Sequence, residues 1–256
     1  MGERTNHAPG TFSWTDLSTS DPDGAKAFYT ELFGWDTEDN PIPDGGVYTM
    51  AARDGKAVAA MSATQQEGQP PSWNSYVTVD SADASAAAAK EHGGTVVMDP
   101  FDVMDVGRMA LIQDPTGAFL AVWEPRASIG AEVVNEAGLL TLNQLNTTDP
   151  ERAQAFYEAV FGWRFDPVAG GPMPYWGIYN GDRVNAGMAP LPAEAGAPSH
   201  WLVYFGSDDL DDDAQRIREL GGTVIVEPMD VPDGRILVAM DPQGAVFALV
   251  SGEFDD

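Results

Sequence analysis

The nonapeptide AFYTELFGW at residues 27–35 returns as AFYEAVFGW at residues 155–163, and no other feature constrains the fold of this 256-residue chain so strongly. The flanking landmarks keep the same spacing. Asp21-Pro22 returns as Asp149-Pro150, Gly34-Trp35 as Gly162-Trp163, Trp73 as Trp201 and Gly93-Gly94 as Gly221-Gly222, each 128 positions on. Gly107-Arg108 and Asp114-Pro115 return as Gly234-Arg235 and Asp241-Pro242 at an offset of 127, so a net deletion separates the copies. Solenoid repeats run about 20–50 residues, so a period this long marks a duplicated domain. The halves are read as 11–126 and 137–252, with a tail at 1–10, a linker at 127–136 and a second tail at 253–256.

Within each half the pattern is strand, helix, strands, and then the same again, an α+β arrangement. FSWTDLST is a strand. Asp21 is a good N-cap with Pro22 in the first helical position. Ala25, Phe28, Leu32 and Phe33 then recur at helical spacing until Gly34 supplies a left-handed stop. VYTMA and AVAAMSA are strands across the turn at RDGK, and WNSYVTV opens the second unit. ASAAAAKEH is a helix ended by Gly93-Gly94, followed by TVVM, RMALIQ and AFLAVWE, with a turn at DPTG. By this reading the repeated nonapeptide is the apolar face and C-cap of a helix packed on a sheet.

Composition narrows the function classes. Forty acidic residues face thirteen basic ones, a formal charge of −27, which repels nucleic acid and anionic membrane because both are bound through Lys and Arg. The same field suits a neutral or cationic ligand, and it also serves as a solubilising shell. With no cysteine, disulfides, thiolate metal sites and cysteine nucleophiles are all excluded. MGERTNHAPG lacks the apolar core of a signal peptide and no run is long enough to span a bilayer, so a cytoplasmic location is expected. No phosphate-loop, dinucleotide, zinc-protease or serine-hydrolase string occurs.

Four βαβββ units, each half with a D-P-x-x-A-x-x-F-Y-x-x-x-F-G-W helix and a D-P-x-G turn before its last strand, resemble the vicinal oxygen chelate superfamily. That group includes glyoxalase I, extradiol dioxygenases and the fosfomycin and bleomycin resistance proteins. The tandem form looks most like actinobacterial proteins labelled glyoxalase-like or hydroxylase. The resemblance implies two tandem domains, each a cupped mixed sheet with helices on its convex side. Strand alternation then divides the faces. Trp14, Asp16, Ser18, Asn74, Tyr76, Thr78, Phe119, Ala121 and Trp123 fall on the first cup, and Leu17, Val77, Val79, Leu120 and Val122 on the helix side. The second cup takes Leu142, Gln144, Asn146, Leu202, Tyr204, Gly206, Val246, Ala248 and Val250.

Metal-using relatives place His, Gln or Glu at positions that fall here on Trp14, Asn74 and Ala121, and on Leu142, Leu202 and Ala248. The expectation is therefore no metal and no cofactor, which argues against a metal-dependent glyoxalase or dioxygenase. His7 lies in the tail and His92 at a helix end, leaving His200 as the one histidine that could reach a cup mouth. Asp16 is the only acid among the nine first-cup residues. It reads as a counter-ion or general base, or else as an Asp bonded to a neighbouring strand or exposed at the rim. Tyr76 and Tyr204 either donate to a ligand carbonyl or pack. Arg108 and Arg235 either fork onto a ligand carboxylate or pair with Asp105 and Asp233. DDLDDDA at 208–214 reads as a helix N-terminus, where acids complement the dipole.

The expected ligand-binding residues are Trp14, Asp16, Ser18, Asn74, Tyr76, Phe119, Trp123, Gln144, Asn146 and Tyr204, with Asp16 the one catalytic candidate. The expected function is metal-free binding, of the sequestering kind, of a small, partly aromatic or cationic molecule. The alternative is a glyoxalase-like lyase, isomerase or hydroxylase of secondary metabolism. Expected partners are a small molecule and at most a second copy of the chain (monomer or homodimer), with no nucleic acid and no membrane.

Overall fold

The computed structural model describes residues 2–42, 45–66, 68–170, 173–192, 196–232 and 234–252. In the first half the elements are β1 (Phe12–Thr19), α1 (Pro22–Phe33), β2 (Asp36–Pro41), β3 (Val47–Arg53), β4 (Lys56–Ala63), β5 (Ser72–Thr78), α2 (Ala82–Glu91), β6 (Thr95–Val103), β7 (Gly107–Gln113) and β8 (Phe119–Pro125). The second half repeats them as β9 (Leu140–Thr147), α3 (Pro150–Phe161), β10 (Arg164–Pro167), β11 (Trp176–Asn180), β12 (Arg183–Pro190), β13 (His200–Gly206), α4 (Leu210–Glu219), β14 (Thr223–Val231), β15 (Gly234–Met240) and β16 (Val246–Ser251).

Each half builds its own eight-stranded mixed sheet, in the orders β2-β3-β4-β1-β5-β8-β7-β6 and β10-β11-β12-β9-β13-β16-β15-β14. The cups therefore form within halves. Caps set the helix limits as expected. Asp21 Oδ1 accepts from Gly24 N at 3.1 Å, and Gly34, at φ 69°, returns its N–H to Thr30 O. β2 completes the three strands that a βαβββ unit requires after α1, and no local signal names its residues. Its sequence, DTEDNP, has no apolar alternation, and it is a strand only because β3 offers it an antiparallel edge. The acidic run reads as expected, with Asp209 capping α4 and three Asp in its first turn.

The helices join the halves. Phe28, Tyr29 and Phe33 of α1 meet Phe205 and Phe247 of the second sheet, with ring centroids 5.0–6.2 Å apart. Reciprocally, Ala153, Phe156 and Tyr157 of α3 share a buried cluster with Ala86, Ala89, Ile112 and Leu120 of the first half. The second glycine of each Gly-Gly pair makes room for this exchange. A Cβ on Gly94 would stand 2.7 Å from the Phe156 ring, and one on Gly222 3.1 Å from Phe28.

Two hydrogen-bond sets complete the joint. In each D-P-x-G turn one aspartate oxygen gathers backbone N–H groups: Asp114 Oδ1 from Thr116, Gly117 and Ala118, and Asp241 Oδ1 from Gln243, Gly244 and Ala245. The free Oδ2 of Asp241 accepts from Tyr29 of the opposite half at 3.0 Å. Tyr157 lies within electrostatic reach of Asp114, yet Asp114 Oδ2 has no hydrogen-bond partner. The motif tryptophans also cross over, Trp35 Nε1 donating to Gly138 O and Trp163 Nε1 to Gly10 O.

Residues 2–10, read as a tail, are tied down. Arg4 N donates to Glu132 O, Gly2 N to Glu136 Oε1, and His7 Nε2 to Ala131 O at 2.7 Å. The connecting stretch is laced on in the same way, with Ala131 N donating to Ser13 O and Glu132 N to Ala57 O. These bonds satisfy backbone groups that burial would otherwise leave costly.

Candidate functional site

The first cup is organised around Asp16. The β1–β5 register sets Asp16 opposite Asn74 and Trp14 opposite Tyr76, while β4 brings Ala60 beside Asp16 and β8 brings Ala121 beside Tyr76. Asp16 is 7% exposed. Its Oδ1 accepts from Asn74 Nδ2 at 2.8 Å, and its Oδ2 accepts from Tyr76 OH at 2.7 Å and Tyr48 OH at 3.1 Å. Asn74 Nδ2 also reaches Ser18 Oγ at 3.2 Å, and Trp14 Nε1 donates to Tyr48 OH at 3.2 Å. Every donor to this carboxylate is neutral. Burial raises the Asp16 pKa against the opposing pull of Asn74, Tyr76 and Tyr48, and burial next to that carboxylate holds both tyrosines well above their usual value.

Trp14, Asp16, Ser18, Asn74, Tyr76 and Trp123 thus belong to one face, with the first five in a single hydrogen-bonded group. Trp123 is fixed by donating to Ser128 O, with Gly107 beneath its ring. Two further residues are placed away from the centre of this face. Phe119 is 51% exposed at the start of its strand, which puts it at the rim. Thr78 is buried and donates to Ser13 Oγ, so its hydroxyl is engaged within the sheet. Sequence reasoning missed Tyr48. The alternation of Tyr48 and Met50 in VYTMA marks a face, but only the pairing of Tyr48 with Ser62, and of Ser62 with Ser18, brings it to Asp16.

In the second cup a chain of neutral groups replaces the acid. Tyr204 OH donates to Gln144 Oε1 at 3.2 Å, Gln144 Nε2 to Asn146 Oδ1 at 2.9 Å, and Asn146 Nδ2 lies 3.3 Å from His200 Nε2. His200 Nδ1 is 2.9 Å from Pro198 O, and since a carbonyl only accepts, the proton is assigned to Nδ1 and Nε2 accepts from Asn146. Gln144, Asn146 and Tyr204 are therefore brought together as expected, and His200 joins them at the strand start. Burial raises the Tyr204 pKa, with Tyr175 adding to the shift. Leu202, Ala248 and Val250 pack beside this chain as a small apolar cluster.

Neither cup fits a divalent ion. Such an ion needs several N/O ligands on one face. The first cup offers one carboxylate whose oxygens already take three protein donors, flanked by indole and alanine methyl groups. The second offers one imidazole engaged with an amide. Among the described residues no three His, Cys, Asp or Glu side chains gather.

The arginines following the repeated glycines serve the surface. Arg108 pairs with Asp83 at 2.7 Å and Asp102 at 2.9 Å, not with Asp105, and Arg235 pairs with Asp211 at 2.8 Å and Asp230 at 3.5 Å. Asp233 lies outside the described residues. Both arginines are committed to partners on the adjacent strand and on the preceding helix, which leaves no fork for a ligand.

Comparison with known proteins agrees with this architecture. A profile of the Glyoxalase/Bleomycin resistance protein/Dioxygenase superfamily matches residues 11–122 and 138–249. The Mycobacterium tuberculosis protein named "Putative glyoxylase CFP32" is 44% identical over 98% of this chain and 98% of its own length. "Anthracycline biosynthesis protein DnrV" of Streptomyces peucetius is 37% identical over 96% of this chain and 94% of its own. The Mn(II)-bound glyoxalase from Novosphingobium aromaticivorans shares the fold, with a TM-score of 0.68 at 16% identity over 97% of this chain and 85% of that one. The 2,3-dioxygenase LapB from Pseudomonas sp. KL28 gives 0.69 at 12% identity over 97% and 94%. No described helix is long and apolar enough to cross a membrane. The duplicated sheets and the matches over both halves make this chain a tandem member of the glyoxalase/bleomycin resistance protein/dioxygenase superfamily.

Proposed function

We propose that the first cup binds, without a metal, a small planar molecule that carries a cationic or hydrogen-bond-donating group. One observation carries the reading: Asp16 is buried at the cup floor and held only by neutral donors. A carboxylate has about four acceptor sites, so three protein donors leave one for a ligand. Tyr48 bonds it, Trp14 bonds Tyr48, and Trp123 belongs to the same buried cluster, an aromatic surface that favours planar and cationic ligands. The name of DnrV, an anthracycline biosynthesis protein, accords with a polycyclic ligand.

Titration of tryptophan emission with proflavine, a planar cation, and anthraquinone, a neutral planar tricycle, tests this. Proflavine is expected to bind the tighter, and Asp16→Asn to weaken proflavine alone, by about tenfold or more. Equal affinities, or an unchanged Asp16→Asn titration, would sink the proposal.

A second reading rests on the raised Asp16 pKa and its contacts with two tyrosine hydroxyls. A carboxylate so placed acts as a general base, taking a proton from a bound carbon or oxygen acid while a neighbouring hydroxyl stabilises the resulting oxyanion. The two readings separate on turnover: a base requires conversion of the bound ligand that Asp16→Asn abolishes, and a binder shows none.

A further inference from the structure

A cavity of about 550 Å³ lies away from both cups, where the N-terminal segment crosses the second half. Its lining includes Arg4, His7, Asn143 and Arg183 over an apolar floor of Phe12 and Leu140. Among the described residues no Asp or Glu lines it, although the chain carries 40 acidic residues against 13 basic ones. The guanidinium of Arg183 makes no hydrogen bond or ion pair among the described residues, and that of Arg4 bonds only Glu3 O. Most other cations of the chain are spent in surface ion pairs with Asp or Glu, so two guanidinium groups without a carboxylate partner at one cavity stand apart.

Asn143 adds a second, independent observation. It is 1% exposed, and the one hydrogen bond at its side chain is from Ser75 Oγ to Oδ1 at 2.7 Å. Among the described residues no protein acceptor meets its amide NH2, which borders the cavity and is open to it. An acceptor on a ligand in the cavity can therefore take this hydrogen bond. The roof over it is built, because Arg4 N, Gly2 N and His7 Nε2 are all bonded to the 131–136 stretch.

We propose that this cavity is a binding site for a small organic anion whose carboxylate or phosphate is held by Arg4 and Arg183, with Asn143 donating to it and its apolar part resting on Phe12 and Leu140. Guanidinium forks match the paired oxygens of either head group. The volume lies in the range of small-molecule sites. In a chain of charge −27 the site is a local exception, so an anion that reaches it is excluded from the rest of the surface by repulsion and is held by short-range contacts.

The test uses the full chain and two probes, inorganic phosphate and succinate, which distinguish the two head groups. Side-chain amide resonances of Asn143 and the thermal midpoint are followed as each is added, in wild type and in Arg4→Gln/Arg183→Gln. At least one probe is expected to move the Asn143 resonance and raise the midpoint, and the double variant to weaken that response at least about tenfold. Asp16→Asn, in the first cup, is expected to leave it unchanged, so failure here and failure of the cup proposal are separable. No Asn143 response to either probe, or a response surviving in the double arginine variant, overturns the proposal.

Discussion

The Tyr29 hydroxyl donates to Asp241 Oδ2 at 3.0 Å, across 212 positions of the chain, and itself accepts from Trp73 Nε1 at 2.9 Å. One phenol thus ties the helix of the first half to the D-P-x-G turn of the second and to the sheet of its own. Tyr157, its counterpart, accepts from Trp201 Nε1 at 2.9 Å and stands beside Asp114 in a looser contact than Tyr29 makes with Asp241. The repeated nonapeptide is therefore the joint between the halves, and its conservation of spacing follows from the joint being reciprocal.

Tyr29→Phe leaves two buried groups without partners, and Tyr157→Phe leaves one. Unpartnered buried groups cost about 1–3 kcal/mol each, so Tyr29→Phe is expected to lower stability by about 2–6 kcal/mol and Tyr157→Phe by roughly half of that. Urea denaturation of both variants checks the order. Equal losses would show that the Asp241 contact contributes nothing.

Glycine substitutions separate backbone strain from crowding. Gly34 and Gly162 both sit at φ 69° with open space where a Cβ would go, so alanine at either is expected to cost about 1–2 kcal/mol and leave ligand binding intact. At Gly107 a Cβ would lie 2.2 Å from the Trp123 ring, so Gly107→Ala displaces the indole from the cup. Its signature is altered tryptophan emission and weaker proflavine binding. The idea fails if Gly107→Ala binds like wild type.

Asp16 makes stability depend on pH in a particular direction. Its folded pKa is raised by burial, so between the unfolded value, about 3.9, and the folded one the native state holds the extra proton. The contribution of Asp16 is then greatest at low pH and declines as pH rises through that window. Asp16→Asn has no such proton to lose. The melting temperature of Asp16→Asn minus that of wild type is expected to climb across the window and level off above it. A difference independent of pH would contradict the raised pKa.

Divalent ions supply a further check. Binding at a hundredfold excess over Kd raises stability by about 2.7 kcal/mol. Mn(II), Ni(II) and Zn(II) are each expected to leave the melting temperature unchanged, and so is EDTA added to protein purified without a chelating tag. Retention of one ion per cup, with loss of stability on chelation, is the outcome that defeats this reading of Trp14, Asn74 and Ala121.

Much of this protein was legible in local patterns. The 128-residue period announced two domains, Asp21 and Gly34 marked the ends of α1, and period-two alternation sorted Trp14, Asp16, Asn74 and Tyr76 from Leu17, Val77 and Val122. These signals are local, because capping and alternation are settled within a few residues. Packing decided the rest. β2 exists through its neighbour's edge, Tyr48 reaches Asp16 through two successive strand registers, Tyr29 meets Asp241 only when the halves dock, and residues 2–10 roof a cavity because the 131–136 stretch offers them carbonyls and a carboxylate. Each of those depends on partners far away in the chain, and the free energy that selects them comes from burial shared between segments, which no short window of residues contains.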